Sequence, residues 1–282
     1  IIIEVYLNES LQSFQGFHTA SSTMSFVGKV VIVTGASSGI GAAIAIKFAE
    51  EGAKVVIVGR NETKLKSVAA KCEEIGSKPL TIIADVGKDE DVKKMVRTTV
   101  AQLKKIDVLV NNAGIISKAS IIDDNAIEVF DTVMSTNLRS VALATHFAAP
   151  HLIETKGNIV NISSIAALKV MMESYFSYYA SKAGLDHFSR AAALELASKG
   201  VRVNTVNPGP VKTDILGNTG MDASNQEDTW EKLEAKTALG RISMPVEIAD
   251  LVLFVASDKA VAITGSTFVS DNGMMLNKDL DI

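Results

Sequence analysis

Two side chains with complementary acid–base chemistry, Tyr178 and Lys182, stand four residues apart in a stretch with helical periodicity. Residues at this spacing share one face of a helix, so the phenol and the ammonium would lie one turn apart. A phenol has an ordinary pKa of about 10, and a neighbouring cation lowers that pKa because it favours the phenolate. The pair is therefore a candidate general acid/base, although tyrosine and lysine share this spacing by chance on many amphipathic helices.

Two other tyrosines in the same stretch, Tyr175 and Tyr179, compete for the role of acid. The positions four residues after them hold Tyr179 and Ala183, so neither has a lysine one turn further along the helix. Tyr178 is therefore the phenol for which the sequence predicts an electrostatic partner.

The composition of the 282-residue chain is that of a compact soluble protein, with 47% hydrophobic residues and a single cysteine. A net charge of −4 without a lysine or arginine cluster argues against nucleic-acid binding. No apolar run approaches the roughly 18 to 20 residues that cross a bilayer, and we expect a cytoplasmic protein. The four scattered histidines and the one cysteine form no metal-ligand pattern, so we expect no metal.

The first 23 residues need separate treatment, because they contain Glu4 and Glu9 but neither lysine nor arginine. This composition fits neither the charged start of a secretory signal nor an arginine-rich transit peptide. Met24 is a natural start shortly before the first predicted strand. We therefore expect residues 1–23 to be an extension, disordered or loosely docked, and residues 24–282 to form the folded domain.

From Lys29 onward, short runs of β-branched residues alternate with longer segments of helical periodicity. Strands are predicted at residues 30–34, 54–58, 80–84, 108–111, 158–162, 202–206 and 267–270. Helices are predicted at residues 40–51, 62–75, 89–104, 126–151, 177–198 and 245–256. The alternation predicts a single α/β domain of the Rossmann type, with a doubly wound, seven-stranded parallel sheet and helices on both faces. In this plan ligands bind outside the carboxyl ends of the strands.

A glycine-rich turn follows the first predicted strand and opens the first predicted helix. It reads Thr34-Gly35-Ala36-Ser37-Ser38-Gly39-Ile40-Gly41. Glycines permit a tight turn and a close backbone approach, and a helix N-terminus offers free N–H groups and partial positive charge to a pyrophosphate. The spacing T-G-x-x-x-G-x-G differs from the commoner G-x-G-x-x-G, and with it the chain resembles the short-chain dehydrogenase/reductase family. The resemblance implies that a nicotinamide dinucleotide binds at Gly35, Ser37, Ser38, Gly39, Ile40 and Gly41.

The resemblance extends to three further segments that follow predicted strands. Asp85-Val86 resembles the family's adenine contact, and Asn111-Asn112-Ala113-Gly114 resembles its N-N-A-G signature. Pro208-Gly209-Pro210-Val211-Lys212-Thr213 matches the pattern P-G-x-x-x-T, whose fourth residue and threonine resemble contacts to the nicotinamide carboxamide. Asparagine and glycine also occur together in ordinary turns, so the position after a strand makes these matches informative. The cofactor contacts implied are Asp85, Val86, Asn111, Ala113, Gly114, Pro208, Gly209, Val211 and Thr213, together with Tyr178 and Lys182.

The end of the second predicted strand indicates which nicotinamide cofactor the chain uses. An acidic residue there would hydrogen-bond the ribose of NAD, whereas a basic one accommodates the phosphate of NADP. The strand ends in Gly59-Arg60-Asn61, and the Arg60 guanidinium suits a phosphate, so NADP(H) is favoured over NAD(H). Alternatively, Arg60 pairs with Glu62 on the surface. Ser38 occupies the place of a second basic residue found in some NADP-specific relatives, which predicts an incomplete preference.

The family's catalytic tetrad corresponds here to Asn137, Ser164, Tyr178 and Lys182. The resemblance implies that a hydride passes from the nicotinamide to a carbonyl carbon while Tyr178 donates a proton to the oxygen. Lys182 would lower the tyrosine's pKa and bind the ribose, Ser164 would hydrogen-bond the carbonyl oxygen, and Asn137 would hold a water that relays protons to Lys182. Ser163 is a rival to Ser164, because both serines follow the fifth predicted strand and the interval from Ser164 to the tyrosine differs by one residue from the family's usual interval.

Substrate contacts are expected from the loops after Ser164 and Gly114 and from an insertion near residues 214–238. These contacts are mostly apolar, although several of them would equally suit a protein core; they are Ile115, Ile116, Val170, Met171, Met172, Tyr175, Met221 and Trp230. An apolar lining suits a ketosteroid, a terpenoid or a 3-oxoacyl group better than a charged sugar. The predicted helices at 126–151 and 177–198 are rich in alanine, and the family often joins them into tetramers or dimers, so we expect a homo-oligomer.

The sequence thus predicts NADPH-dependent reduction of an apolar ketone or aldehyde to an alcohol. Within the enzyme class, the alternative is an NAD-dependent secondary-alcohol dehydrogenase. Outside it, the alternative is a cofactor-binding regulatory protein without turnover, which would need no tyrosine–lysine pair.

Overall fold

The structure, a computed structural model, describes residues 26–214 and 223–276. The predicted extension at residues 1–23 and the candidate substrate residue Met221 lie outside these described residues. Within them, no helix combines the length and the apolar character needed to pass through a lipid bilayer.

Seven parallel strands form one sheet. They are β1 (Val30–Thr34), β2 (Lys54–Gly59), β3 (Leu80–Ile83), β4 (Val108–Asn111), β5 (Asn158–Ile162), β6 (Arg202–Pro208) and β7 (Thr267–Ser270). Their order across the sheet is β3-β2-β1-β4-β5-β6-β7, and every neighbouring pair is parallel. The strand order reverses between β1 and β4, so this is the switch point where a doubly wound sheet opens a crevice for a ligand. The predicted fold class is confirmed.

Helices connect the strands and cover the sheet. They are α1 (Gly39–Glu50), α2 (Glu62–Ile75), α3 (Asp89–Leu103), α4 (Ala126–Met134), α5 (Ser140–Thr155), α6 (Phe176–Ala197), α7 (Ala223–Ala235) and α8 (Pro245–Ala256). A 3₁₀ turn at Ile165–Ala167 follows β5 and leads into the loop before α6.

Two hydrophobic cores lie on opposite faces of the sheet, because successive strand residues point to opposite sides. Val31 and Val33 pack in the core formed with α1, α2 and α8, whereas Val30 and Ile32 pack in the core formed with α3, α5 and α6. All five residues of β1 are buried. A parallel strand covered on both faces is a nearly continuous apolar run, which is why β1 could be located in the sequence.

Two elements differ from the prediction. A π-helical turn at Ser135–Arg139 interrupts the helix predicted at 126–151, and the helical segment ends at Thr155. Such a turn accommodates one extra residue without changing which residues are apolar, and it is common at functional sites. The segment near 214–238, expected as an insertion, contains α7, whose Trp230 is buried.

Candidate active site

The glycine-rich turn between β1 and α1 is packed too tightly for side chains. A Cβ atom on Gly41 would lie 2.3 Å from the carbonyl oxygen of Gly35, and one on Gly35 would lie 2.8 Å from the Cα of Ala113. Gly35 also has a φ of +66°, which L side chains disfavour. Because both glycines lack side chains, α1 begins close against the turn, as a pyrophosphate site at a helix N-terminus requires.

The first turn of α1 is suited to an anion. Its N-cap residue, Ser38, makes no capping hydrogen bond with its side chain, and the first turn contains no acidic residue. Ile40 is part-buried and packs on the core beneath the turn. Ser37 lies beside the end of β2, since a Cβ atom on Gly59 would be 3.5 Å from its Oγ. The N–H groups and the positive end of the helix dipole therefore favour a phosphate here.

Two residues that the sequence reasoning did not single out join this turn to the loop after β4. The Thr34 hydroxyl accepts hydrogen bonds from the backbone N–H groups of Asn112 at 3.0 Å and Ala113 at 3.1 Å. The Asn112 amide in turn donates to the carbonyls of Thr34 at 2.9 Å and Gly35 at 3.3 Å. Thr34 opens the glycine-rich motif and Asn112 stands in N-N-A-G, so their places in these motifs could have indicated a role at the site. They hold two predicted cofactor loops together.

Asn111, predicted to contact the cofactor, directs its side chain into the protein. Its amide donates to Asn161 Oδ1 at 2.8 Å, and the Asn161 amide donates to the Ser189 hydroxyl on α6 at 2.8 Å. All three residues are buried. The side chain of Asn111 thus links β4, β5 and α6, which fixes the two strand ends that border the site.

At the tip of β2, the exposed Arg60 guanidinium faces Asp85, with 4.0 Å between Nη1 and Oδ2. The alternative partner, Glu62, instead pairs with Lys66 at 2.8 Å. Val86 is part-buried and packs against the core. The two residues predicted at the adenosine end are therefore neighbours, and a long ion pair between exposed groups is weak enough to exchange for a phosphate.

The segment after β6 lies against the glycine-rich turn. Pro208 ends β6, and a Cβ atom on Gly209 would lie 2.8 Å from the backbone of the loop after β7. Val211 is buried. A Cβ atom on Gly39 would lie 3.0 Å from Cγ2 of Thr213. The predicted carboxamide segment and the predicted pyrophosphate turn are thus in contact.

Asn137 lies in the π-helical turn and is buried, with 1% of its surface exposed. Its Oδ1 accepts from the N–H of Ile115 at 2.8 Å, and its Nδ2 donates to the Ile115 carbonyl at 2.8 Å and to the Ser181 hydroxyl at 3.1 Å. Ser181, which was not predicted, immediately precedes Lys182 on α6. Asn137 therefore positions the loop after Gly114 against α6.

Lys182 is buried on the inner side of α6, where its ammonium donates to the Ile162 carbonyl at 2.9 Å. A Cβ atom on Gly114 would lie 3.6 Å from Lys182 Nζ and 3.4 Å from Asn137 Oδ1, so the ammonium and the amide oxygen both flank this glycine. Burial lowers the pKa of Lys182 to about 8, while the negative charge of Asp186 acts in the opposite direction.

The two candidate serines point in different directions. Ser164 lies on the side of Tyr178, where it acts to lower the pKa of the phenol, and its hydroxyl accepts from the N–H of Ala166 at 3.1 Å. The Ser163 hydroxyl is buried and donates to the backbone carbonyl of Lys182 at 3.4 Å. The geometry favours Ser164 over its rival as the partner of the phenol.

Tyr178 lies one turn before Lys182, whose Nζ is 5.7 Å from the centroid of the phenol ring. Burial raises the pKa of Tyr178 above its ordinary value, and the neighbouring Ser164 opposes this rise only in part. The prediction of a lowered pKa is therefore wrong for this structure, because the spacing along a helix does not reveal how much water the fold removes. At neutral pH the phenol keeps its proton.

The competing tyrosines hold loops in place. The Tyr179 hydroxyl accepts from the N–H groups of Met171 at 3.1 Å and Met172 at 2.8 Å, so it braces the loop between β5 and α6. Tyr175 pairs with Ala119 in an isolated β-bridge, which joins this loop to the one after β4. Neither contact involves Lys182.

The apolar residues expected at the substrate fall into two groups. Val170 and Met172 are exposed, and Ile115 and Ile116 are partly exposed. Met171 packs against Ile165 and Met274, and Trp230 is 7% exposed, so these two serve the core. Among the residues that the structure describes, no three His, Cys, Asp or Glu side chains come together as metal ligands.

Known proteins match this chain over most of its length. A family model described as enoyl-(acyl carrier protein) reductase matches residues 35–275. A short-chain dehydrogenase/reductase of Aspergillus oryzae is 38% identical over 256 residues, which are 89% of this chain and 97% of that protein. The cyclohexanol dehydrogenase of an Acinetobacter species is 34% identical over 247 residues, which are 87% and 94% of the two chains.

A solved structure is similarly close. The crystal structure of L-sorbose reductase from Gluconobacter frateurii, complexed with NADPH and L-sorbose, matches with a TM-score of 0.83 and 30% identity, covering 89% of this chain and 98% of that one. Fold, motif positions and relatives agree along nearly the whole described chain. This protein belongs to the short-chain dehydrogenase/reductase family and is an oxidoreductase of alcohols and carbonyl compounds.

Proposed function

We propose that the chain catalyses the reversible, NADPH-dependent reduction of an apolar ketone or aldehyde to an alcohol. The observation that carries the proposal is the meeting of three groups beyond the carboxyl end of β5. Ser164 acts on the Tyr178 phenol and lowers its pKa, and the Lys182 ammonium lies one helical turn from that phenol, 5.7 Å from its ring centroid. When bound, the reduced nicotinamide supplies the hydride that reaches the carbonyl carbon.

The side chains of the site handle the proton and the negative charge on the substrate oxygen. Tyr178, protonated because burial raises its pKa, donates its proton to that oxygen. The Ser164 hydroxyl, already beside the phenol, donates a hydrogen bond to the same oxygen. The buried Lys182 ammonium stabilises the phenolate that remains on Tyr178. In the oxidative direction the same phenolate takes the proton of the alcohol.

The cofactor site is built from the carboxyl ends of several strands. The turn at Gly35, Gly39 and Gly41 has the close backbone approach that a pyrophosphate needs, and α1 directs its N-terminus to it. Arg60 takes the phosphate of NADP, because its guanidinium is exposed and only loosely paired with Asp85. The sorbose reductase structure, which is a complex with NADPH, supports this assignment.

The proposed substrate class rests on the exposed apolar residues of the two loops beside the site. Val170 and Met172 expose apolar side chains on the loop before α6. Ile115 and Ile116 are partly exposed on the loop after β4. These side chains offer contact to rings and chains but no charge. We therefore propose a ketosteroid, terpenoid or 3-oxoacyl carbonyl, and the name of the cyclohexanol dehydrogenase supports an alicyclic substrate.

A substrate panel followed through NADPH absorbance tests the proposal. The panel contains ketosteroids, ketoacyl thioesters, terpenoid ketones and, as a polar comparison, L-sorbose. We expect turnover of apolar carbonyls with a kcat/KM at least tenfold above that for the sugar, since burying apolar groups contributes about 0.8 kcal/mol per methylene. Turnover of the sugar alone contradicts the apolar assignment, and no turnover of any carbonyl contradicts the reductase.

An NAD-dependent secondary-alcohol dehydrogenase is the second candidate. One observation favours it: a cyclohexanol dehydrogenase is among the relatives. Alcohol oxidation with NAD and with NADP at matched concentrations distinguishes the candidates. A higher kcat/KM with NAD supports the dehydrogenase.

We also propose a homotetramer or homodimer, formed through α4–α5 and α6. Ile127 on α4 and Leu194 on α6 are large apolar side chains that are 66% and 82% exposed in the single chain. Such side chains on neighbouring helices suit burial against a second copy. Light scattering that yields the mass of one chain contradicts this proposal.

A further inference from the structure

We propose that Asp186 and Asn207 form a positioning pair behind the active site, in which Asp186 stabilises the Lys182 ammonium and Asn207 fixes the backbone of Ser164. The inference rests on the proposed reductase function, because Lys182 and Ser164 act there on Tyr178 and on the substrate oxygen. Neither Asp186 nor Asn207 belongs to the motifs that identify the family in this sequence.

Asp186 extends the line of functional groups along α6. It stands one helical turn beyond Lys182, as Lys182 stands one turn beyond Tyr178, so all three follow one face of the helix. Asp186 is 3% exposed. A buried carboxylate is costly unless cations or hydrogen-bond donors compensate for the lost water, which makes an acidic residue at this place unexpected for packing alone.

The Asp186 carboxylate has one hydrogen-bond donor within the described chain. Its Oδ2 accepts from Asn207 Nδ2 at 2.7 Å, whereas its Oδ1 and the Oδ1 of Asn207 are buried without a protein donor. A single neutral donor does not compensate for burying a charge. The nearby charge of opposite sign, Lys182, is therefore the group for which this carboxylate is suited.

Asn207 connects the carboxylate to the catalytic serine. It is fully buried in β6, and its Nδ2 donates both to Asp186 at 2.7 Å and to the Ser164 carbonyl at 3.0 Å. Because both partners are acceptors, the orientation of the amide is determined. Asn207 therefore holds the Ser164 backbone, and with it the hydroxyl beside Tyr178, at a set position relative to α6.

The surroundings of Lys182 explain why the charge of Asp186 matters. The ammonium faces the Tyr178 phenol on its own helix, the Asn137 amide in the π-helical turn and the Ile162 carbonyl at the end of β5. None of these groups is charged at neutral pH, and within the described residues Asp186 is the charge that acts on Lys182. Without it, burial is unopposed and Lys182 loses its proton at a lower pH.

The test compares three variants in the reductase assay across pH. Asp186→Asn keeps the shape and removes the charge, so we expect the alkaline fall in kcat/KM to move to lower pH by roughly 0.5 to 1 pH unit. Asn207→Ala removes the hold on Ser164 and should lower kcat about tenfold, while the alkaline limb moves less than in Asp186→Asn because the charge of Asp186 remains. Asp258→Asn, which removes an exposed carboxylate after α8 near the amino end of β6, is the control and should change neither kcat nor the alkaline limb.

A second measurement needs no substrate. Lysine side chains labelled with ¹³C at Cε are titrated by NMR in the wild type and in Asp186→Asn, with Lys182→Met to assign the signal. We expect Lys182 to titrate at a lower pH in Asp186→Asn, and Asp186→Ala serves in its place if Asp186→Asn does not fold. An unchanged titration, or an equal change in Asp258→Asn, overturns the role of Asp186. A wild type inactive on every carbonyl overturns only the proposed reductase, because the titration still tests the pair.

Discussion

The side-chain amide of Asn137 donates to the Ser181 hydroxyl across 3.1 Å and so joins the π-helical turn to the helix that carries Tyr178 and Lys182. The same side chain makes two hydrogen bonds of 2.8 Å with the backbone of Ile115. One buried residue therefore sets the position of the loop after β4 relative to α6. This positioning role accounts for a buried asparagine here without a role in proton transfer.

Replacing Asn137 by aspartate tests that positioning role. The change substitutes an acceptor for the donor that serves the Ile115 carbonyl, and a buried carbonyl left facing another acceptor is destabilising. We expect the free energy of unfolding to fall by about 1–3 kcal/mol and kcat to fall by at least about tenfold. Urea denaturation and steady-state kinetics measure the two effects. Asn125→Asp, at an exposed residue just before α4, is the control, and equal losses in both variants contradict the prediction.

The two adjacent tyrosines should respond differently to loss of their hydroxyls. Tyr178→Phe removes the proton donor, so we expect kcat to fall by about 10²–10⁴-fold while NADPH still binds. Tyr179→Phe removes the acceptor for Met171 and Met172 and should act mainly on KM, because the loop near the substrate loses its brace. Kinetics and fluorescence titration with NADPH separate the effects. Near wild-type turnover in Tyr178→Phe rules out its role as the acid.

Cofactor preference should depend on Arg60. Arg60→Ala removes a charge-assisted contact worth about 1.5–3 kcal/mol, which corresponds to roughly a 10- to 100-fold loss of kcat/KM with NADPH. The value with NADH should change little, because NADH has no phosphate at that place. Lys66→Ala is the matched control, since Lys66 is an exposed cation on α2 that pairs with Glu62. If the wild type prefers NADH, Arg60 does not read a phosphate.

Lys182 should lower the free energy of unfolding, although the proposed reaction requires it. Its folded-state pKa of about 8 lies below the ordinary 10.5, so folding disfavours the ammonium at neutral pH. Each unit of pKa corresponds to about 1.4 kcal/mol, and we expect Lys182→Met to be more stable by on the order of 1–3 kcal/mol at pH 7, though inactive.

The pH dependence of that difference is the sharper measurement. As pH rises from about 8 to 10.5, the folded protein releases the Lys182 proton before the unfolded chain does, so the wild type gains stability relative to Lys182→Met. Urea denaturation of both proteins between pH 7 and pH 10 should therefore show a narrowing difference. If the difference in unfolding free energy between the two proteins is independent of pH, burial of the Lys182 ammonium does not destabilise the fold.

Much of the fold could be predicted because its strands are buried on both faces. Buried apolar runs marked β1 and β4 at their observed bounds, and β-branched residues marked β5 and the partly exposed edge strand β7. The π-helical turn could not be predicted, because one extra residue within a turn leaves the apolar pattern of the surrounding helix intact. The sequence pattern likewise indicated no helix at α7.

The site was less predictable than the fold, for a different reason. The spacing of Tyr178 and Lys182 correctly places them one turn apart on α6, but the pKa of each depends on how deeply the surrounding elements bury it. The choice between Ser163 and Ser164 depends on the direction in which the chain leaves β5. A sequence motif does not specify that direction. Asp186 and Asn207 meet only because β6 packs beside α6.

The hydrogen bonds between Thr34 and Asn112 have a consequence for the order of folding. They join residues 78 apart in the chain, and β1 gains its second neighbour only when β4 is in place. Contacts between distant segments form late because closing long loops is entropically unfavourable. We therefore expect the first three strands made during synthesis to pair before the nucleotide turn is braced, and a nascent chain that ends before β4 lacks the Asn112 amide that holds Thr34 and Gly35 in place.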